Sequence, residues 1–163
     1  MPRWRDLFAG LAMAGLATVP ARAQTGGALG DAVQACVAAT VRAGVDDGRL
    51  VAAGWQGIDL ALDARDEEPL RVYTRGRGSL LVVGTGGGAA KSGCNVLVPL
   101  SGRSGYDQAV SDLTASLGAG PVDRRKNNEI LWIVGQTGVT LAPAGRPDRP
   151  AVHAIVIYLG ENK

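Results

Sequence analysis

Histidine occurs once in this chain and cysteine twice, as His153, Cys36 and Cys94. Three such residues at wide spacing match no zinc pattern, which takes four ligands in close pairs along the chain. Phenylalanine also occurs once, and with Trp4 set aside the aromatic residues beyond the N-terminal segment are Trp55, Tyr73, Tyr106, Trp132 and Tyr158. A core must therefore be built from Val, Leu, Ile and Ala. No repeat of 20 to 50 residues and no run of like charge is present, so neither a solenoid nor a charged tail is expected.

A basic surplus is missing once the N-terminus is considered. Residues Met1 to Ala23 read as a cleaved signal peptide. Arg3 and Arg5 precede the uncharged run Leu7 to Val19, Pro20 breaks it, and Ala21-Arg22-Ala23 fits the small-x-small cleavage pattern. The apolar run is too short to span a bilayer, which takes about 20 residues. The chain as a whole has 17 Lys and Arg against 15 Asp and Glu, and the segment removes Arg3, Arg5, Arg22 and Asp6, leaving 14 of each. A nucleic-acid binder carries excess positive charge to displace counterions from phosphates, so nucleic acid is not an expected partner. The expected mature chain, Gln24 to Lys163, is one periplasmic or secreted domain with no stable membrane insertion. The scarcity of Lys beside many Ala, Gly and Arg residues fits a bacterial genome of high GC content.

In an oxidising compartment the two cysteines are expected to pair. A Cys36–Cys94 bridge joins positions 58 apart and, on the chain-entropy model, stabilises by roughly 4 kcal/mol. Its first half lies in a predicted helix, Ala28 to Ala43, where Leu29, Val33, Cys36, Val37, Thr40 and Val41 share a face. Asp31 near its start, Arg42 near its end and Gly44 beyond it agree with the helix dipole and with termination. A short helix at 48–53 and a core role for Trp55 follow.

The segment from Val45 to Gly78 carries little periodic signal, and Leu70 to Thr74 suits a strand or part of a helix. Asp59, Asp63, Asp66, Glu67 and Glu68 are followed by Arg71, Arg75 and Arg77, a pattern that reads as a solvated face with mutual charge compensation. Strands are predicted at Ser79–Val83 and Cys94–Leu100, a second helix at Tyr106–Leu117, and strands at Glu129–Val134, Val139–Ala142 and Ala151–Leu159. Ser104 is a candidate N-cap of the second helix and Gly118 its stop. The last strand is apolar on both faces and so central. Pro143 to Pro150, with three prolines, reads as a loop. Strands outnumber helices and come in consecutive hairpins, which favours an α+β, two-layer domain. It would have an antiparallel sheet of about five strands and two main helices on one face.

Three tempting motifs fail on their context. Gly84-Thr85-Gly86-Gly87-Gly88-Ala89 meets the dinucleotide-binding pattern, but no helix fits before Cys94 and no acid stands near position 104. Lys91-Ser92 lacks the two glycines that a phosphate-binding loop needs at positions 85 and 90. Gly102-Arg103-Ser104-Gly105 is one residue short of a nucleophile elbow. No cofactor is implied. The expected function is that of a non-catalytic module that binds a periplasmic protein or an envelope component. Its candidate contact residues are Gly86, Gly87, Gly88 and Lys91 in the glycine-rich loop, with Arg75 and Arg77 facing an anionic surface. The alternative is a small hydrolase or ligand-binding enzyme using His153 or a serine among Ser92, Ser101 and Ser104.

Overall fold

The computed structural model describes residues 23–60, 70–76, 80–84, 93–102, 104–125 and 127–160. In chain order its elements are α1 (Ala23–Ala39), β1 (Thr40–Val41), β2 (Gly44–Val45), α2 (Asp47–Ala52), β3 (Gln56–Leu60), β4 (Leu70–Thr74), β5 (Leu80–Gly84), β6 (Cys94–Pro99), α3 (Gly105–Leu117), β7 (Asp123–Arg124), β8 (Ile130–Val134), β9 (Thr137–Arg146) and β10 (Arg149–Tyr158). Eight of the strands form one antiparallel sheet in the order β3-β4-β5-β6-β10-β9-β8-β7, and β1 and β2 form a separate two-residue ladder. The class is α+β, and the sheet is wider than the five strands expected.

Alternation along the central strands decides the core. Successive side chains in a strand point to opposite faces. On β6, Cys94, Val96 and Val98 are buried, and their partners across the ladder, Val156, Ala154 and Val152 of β10, are buried too. Leu81 and Val83 of β5 lie on the same face, as do Val139 and Leu141 of β9 and Ile130 and Trp132 of β8. Small and branched side chains fill this layer, and Trp132 is its largest member. Trp132 Nε1 donates to Thr114 Oγ1 of α3 at 3.3 Å, which meets the indole's need for a partner when buried.

The Cys36–Cys94 disulfide is present and joins α1 to the centre of the sheet. From α1 the residues Leu29, Ala32, Val33, Cys36 and Ala39 are buried, a stripe of helical spacing. Gly30 allows α3 to approach closely: a Cβ there would stand 2.7 Å from Ser116 Oγ. Gln34 Nε2 donates to the Ser116 carbonyl at 2.7 Å across the same contact.

The first helix ends earlier than its apolar pattern suggests. It stops at Ala39, with no acid in its first turn and no base in its last. Thr40 and Val41 turn back as β1, with Gly44 at φ +129° opening β2. Thr40 Oγ1 donates to the Cys36 carbonyl at 2.8 Å, and Arg49 Nη1 donates to the Ala38 carbonyl at 2.8 Å. The cation at the helix C-terminus thus comes from α2 rather than from Arg42. Asp31, now inside the helix, pairs with Arg75 at 3.5 Å. α2 follows where expected, capped by Asp46, whose side chain accepts from the Arg49 amide.

Two further differences concern strands. Gln56–Leu60 is an edge strand, and Leu70–Thr74 is a strand rather than a helix. The segment read as a proline loop is instead the far end of the β9–β10 hairpin, with Pro143 and Pro150 inside strands. Both prolines lie where a neighbouring strand's ladder ends, and Pro150 keeps one bond there, its carbonyl accepting from the Leu100 amide at 2.8 Å. β8 pairs with β9 no further than Leu141, and β6 pairs with β10 from Ala151 onward. At Pro143 the side toward β8 is open, and a missing N–H costs no ladder bond there. Ser104 stands at the N-cap position of α3 without a side-chain cap bond, and Gly118 ends that helix in the left-handed region at φ +62°.

Replacing Cys36→Ser together with Cys94→Ser is expected to lower unfolding free energy by about 2–4 kcal/mol in urea titration, with the denatured chain gaining freedom. An unchanged midpoint would show that the bridge contributes nothing to stability.

Candidate functional site

The sheet's second face is the unusual part of this molecule. Antiparallel sheets with one covered face carry polar side chains on the other. Here the positions that alternate with the core are Ile58 on β3, Val72 on β4, Leu80 and Val82 on β5, Asn95 and Leu97 on β6, His153, Ile155 and Ile157 on β10, Thr140 and Ala142 on β9, and Leu131 and Ile133 on β8. From β3 through β8 no charged residue falls among these central positions. Among the described residues the register places charge on this face at its margins, with Arg146 and Arg149 at the tip of the β9–β10 hairpin and Asp123, Arg125 and Glu129 ion-paired at the β7 edge. Ile58 is 58% exposed, Ile133 45% and Leu97 38%, far more than side chains of a satisfied core. These exposed side chains stand on β3, β6 and β8, with half-buried apolar positions between them.

At one end the face dips into an open groove of about 580 Å³, lined by Leu80, Leu97, Pro99, Leu100, Pro150 and Ala151, with Asp148 and Arg149 completing the wall. Asp148 pairs with Arg146 at 3.4 Å.

A polar pair and the Thr140 hydroxyl interrupt the apolar centre. His153 Nε2 and Asn95 Oδ1 are 3.0 Å apart. Asn95 Nδ2 donates to the carbonyls of Gly93 at 3.3 Å and Val82 at 3.4 Å, which fixes the amide so that its oxygen faces the ring. His153 Nε2 therefore carries the proton and donates. Directly across the ladder His153 meets Ala142 and Leu97, neither of which titrates. Burial in this setting pushes the histidine pKa below its ordinary value of 6.5.

On the opposite side of the sheet a polar cluster ties α2 to β3 and β4. Arg71 donates to Asp59 and to Asp47, and the Arg71 hydrogen bond holds the Asp59 carboxyl below its usual range. Tyr73 lies beneath them, fully buried, and burial pushes its phenol up to about 12. Its ring covers Gly57, where a Cβ would stand 2.8 Å from Tyr73 Cε1, so glycine is required for the contact.

The candidates from sequence fall in different places. Gly86, Gly87, Gly88, Lys91, Arg77 and Ser92 lie outside the described residues, as do Asp63, Asp66, Glu67 and Glu68. Arg75 is held within the fold: it pairs with Asp31, donates to the Ala53 carbonyl at 3.1 Å and stacks 5.8 Å from the Trp55 ring centroid. Trp55 itself is buried. β5 and β6, which flank the glycine-rich segment, pair antiparallel with each other, whereas a dinucleotide-binding turn leads through a helix to a parallel strand. Neither Ser101 nor Ser104 hydrogen-bonds His153, whose ring partner is Asn95. The apolar face itself was missed, although the both-sided apolar pattern of β10 and the alternate Leu80 and Val82 of β5 carried its signal.

The chain matches no protein-family model, no curated protein and no solved structure.

A histidine held below its unfolded pKa binds a proton more weakly in the folded chain. It contributes stability above the unfolded value that is lost as pH falls through the folded one. Unfolding free energy is therefore expected to fall between about pH 7 and pH 5, and His153→Gln to remove that component. The same acid slope in the variant would assign the effect to carboxylates instead.

Proposed function

We propose that this protein is an exported, non-catalytic binding module that works through the apolar face of its sheet, which no described helix covers. We further infer a two-layer arrangement in which α1 and α3 cover one face only and leave the other to a partner. The observation that carries the reading is the uncharged centre of that second face across β3 to β8, with Ile58, Leu97 and Ile133 all more than a third exposed. A side chain left half in water forfeits much of the transfer free energy that full burial of Leu or Ile yields, about 1.5–3 kcal/mol each. Several such residues on one rigid sheet supply a strong driving force for association.

Export agrees with the disulfide, which persists in oxidising compartments, and with the absence among the described residues of any helix long and apolar enough to cross a membrane. The partner on this reading is an apolar surface, since the centre of the face offers no charge to select an ionic one.

Replacing Leu97→Lys and Ile133→Lys together is expected to leave the melting temperature within a few degrees, because both positions are solvent-facing. The pair is also expected to abolish fluorescence enhancement of an apolar dye by the dilute protein. Dye binding equal to that of the unaltered protein would remove the face from consideration. Collapse of the fold would show these residues to be core.

A further inference from the structure

We propose that the partner of the apolar sheet face is a second copy of this chain, the two sheets stacking face to face. The inference rests on the reading of that face as a docking surface and names its occupant. Three observations point to it.

The first is size. The seven strands from β3 to β8 make six spacings of about 4.8 Å, and five residues along each give about 17 Å. β9 and β10, with ten residues each, extend this area at one end, for a footprint of about 600 Å² before side-chain relief is counted. Standard stable interfaces bury about 600–1,000 Å² per partner, so a face of this extent reaches the lower end of that range. Stacked sheets sit about 10 Å apart with side chains interdigitated.

The second is charge. A face without charge at its centre is matched by a surface equally free of it, and this chain presents one. The expected mature chain has 14 basic and 14 acidic residues, so two copies do not repel. A two-fold axis would set like against like, which apolar side chains tolerate and charged ones do not.

The third is the treatment of the polar groups. His153 and Asn95, the polar pair in the middle of the patch, satisfy each other and the nearby carbonyls without any outside partner. They can enter a dry interface with those hydrogen bonds made, which confines the cost of burying an unpaired polar group to the remaining ring nitrogen of His153. The face also has relief, with the groove beside Leu80 and Leu97 and the exposed Ile133. In the stacked dimer a protonated His153 would be a buried cation. The groups facing it from β6, β9 and β10 are Asn95, Leu97, Ala142, Ala151 and Ile155, with no carboxylate among them. Acidification below the ordinary histidine range is thus expected to loosen the dimer.

The test is sedimentation velocity on the full protein purified from its host, over a concentration series, beside Leu97→Thr, Ile157→Thr and a control, Val51→Lys on α2. Threonine keeps strand propensity, so these variants stay folded while losing apolar contact. The expected result is a dimer for the unaltered protein and for Val51→Lys, with dissociation constants raised about tenfold or more in the two face variants. The dimer is also expected to weaken at pH 5 while circular dichroism still reports a folded chain. A dimer indifferent to both face variants would overturn the proposal, as would a monomer at every concentration. In the monomer case the dye assay separates the two readings. Dye binding lost in Leu97→Lys with Ile133→Lys would leave the face a docking site for another apolar partner, including neutral lipid vesicles tested directly. Dye binding unchanged by those substitutions would overturn the face reading as well.

Discussion

The bond between Cys36 and Cys94 is the constraint on which the rest of this structure depends. It ties the buried stripe of α1 to β6, and β6 is the strand that joins the two halves of the sheet. On one side of it the chain runs as the meander β3-β4-β5; on the other, β10 arrives from the far end of the sequence and brings β9, β8 and β7 with it. The pairing of β6 with β10 joins residues more than fifty positions apart, from Cys94 with Val156 to Pro99 with Ala151. Non-local pairing of this kind carries a high loop-closure cost before its contacts form. A covalent link across 58 positions reduces that cost, and it does so in a core with only two Trp and one Tyr among its fully or nearly fully buried residues.

A sheet fastened in this way still has two faces, and the sequence makes both of them apolar. The buried layer of Val96, Val98, Val152, Ala154 and Val156 accounts for stability. The opposite layer of Leu97, Ile155 and Ile157 does not contribute in the same way, since much of it remains in water. Hydrophobic surface on a rigid scaffold that the fold does not consume is available for association. The His153–Asn95 pair marks the centre of that surface and links it to pH, because a proton on the second ring nitrogen has no acceptor there.

Much of this fold was legible in the sequence, and the failures have physical causes. The disulfide followed from cysteine count and compartment, and α3, β5, β6, β8 and β10 from apolar periodicity. β3 was not visible because Gln56, Gly57 and Asp59 give an edge strand little apolar signal; it forms through its ladder with β4 and the Arg71 bridge to Asp59. The end of α1 was placed too late because Thr40 and Val41 continue the helical spacing, yet their branched side chains suit the turn back into β1 equally well. Pro143 and Pro150 suggested a loop because proline is excluded from paired strand interiors, and only the unequal lengths of neighbouring strands permit it here. As for the site, the glycine-rich segment carries the more conspicuous local signal in the sequence. The apolar face required knowing that Leu80, Leu97, His153 and Ile133 share one side of one sheet, which depends on the register of strands distant in sequence.

The most direct test of the account is accessibility of individual isoleucine and valine methyl groups to a soluble paramagnet, followed by NMR as the protein is diluted. Methyls of Ile133, Ile155 and Ile157 should be shielded at high concentration and become accessible on dilution, while those of Val152 and Val156 stay shielded throughout. Equal accessibility of Ile133, Ile155 and Ile157 at every concentration would contradict the account, since the second face would then be a surface that the protein leaves to solvent.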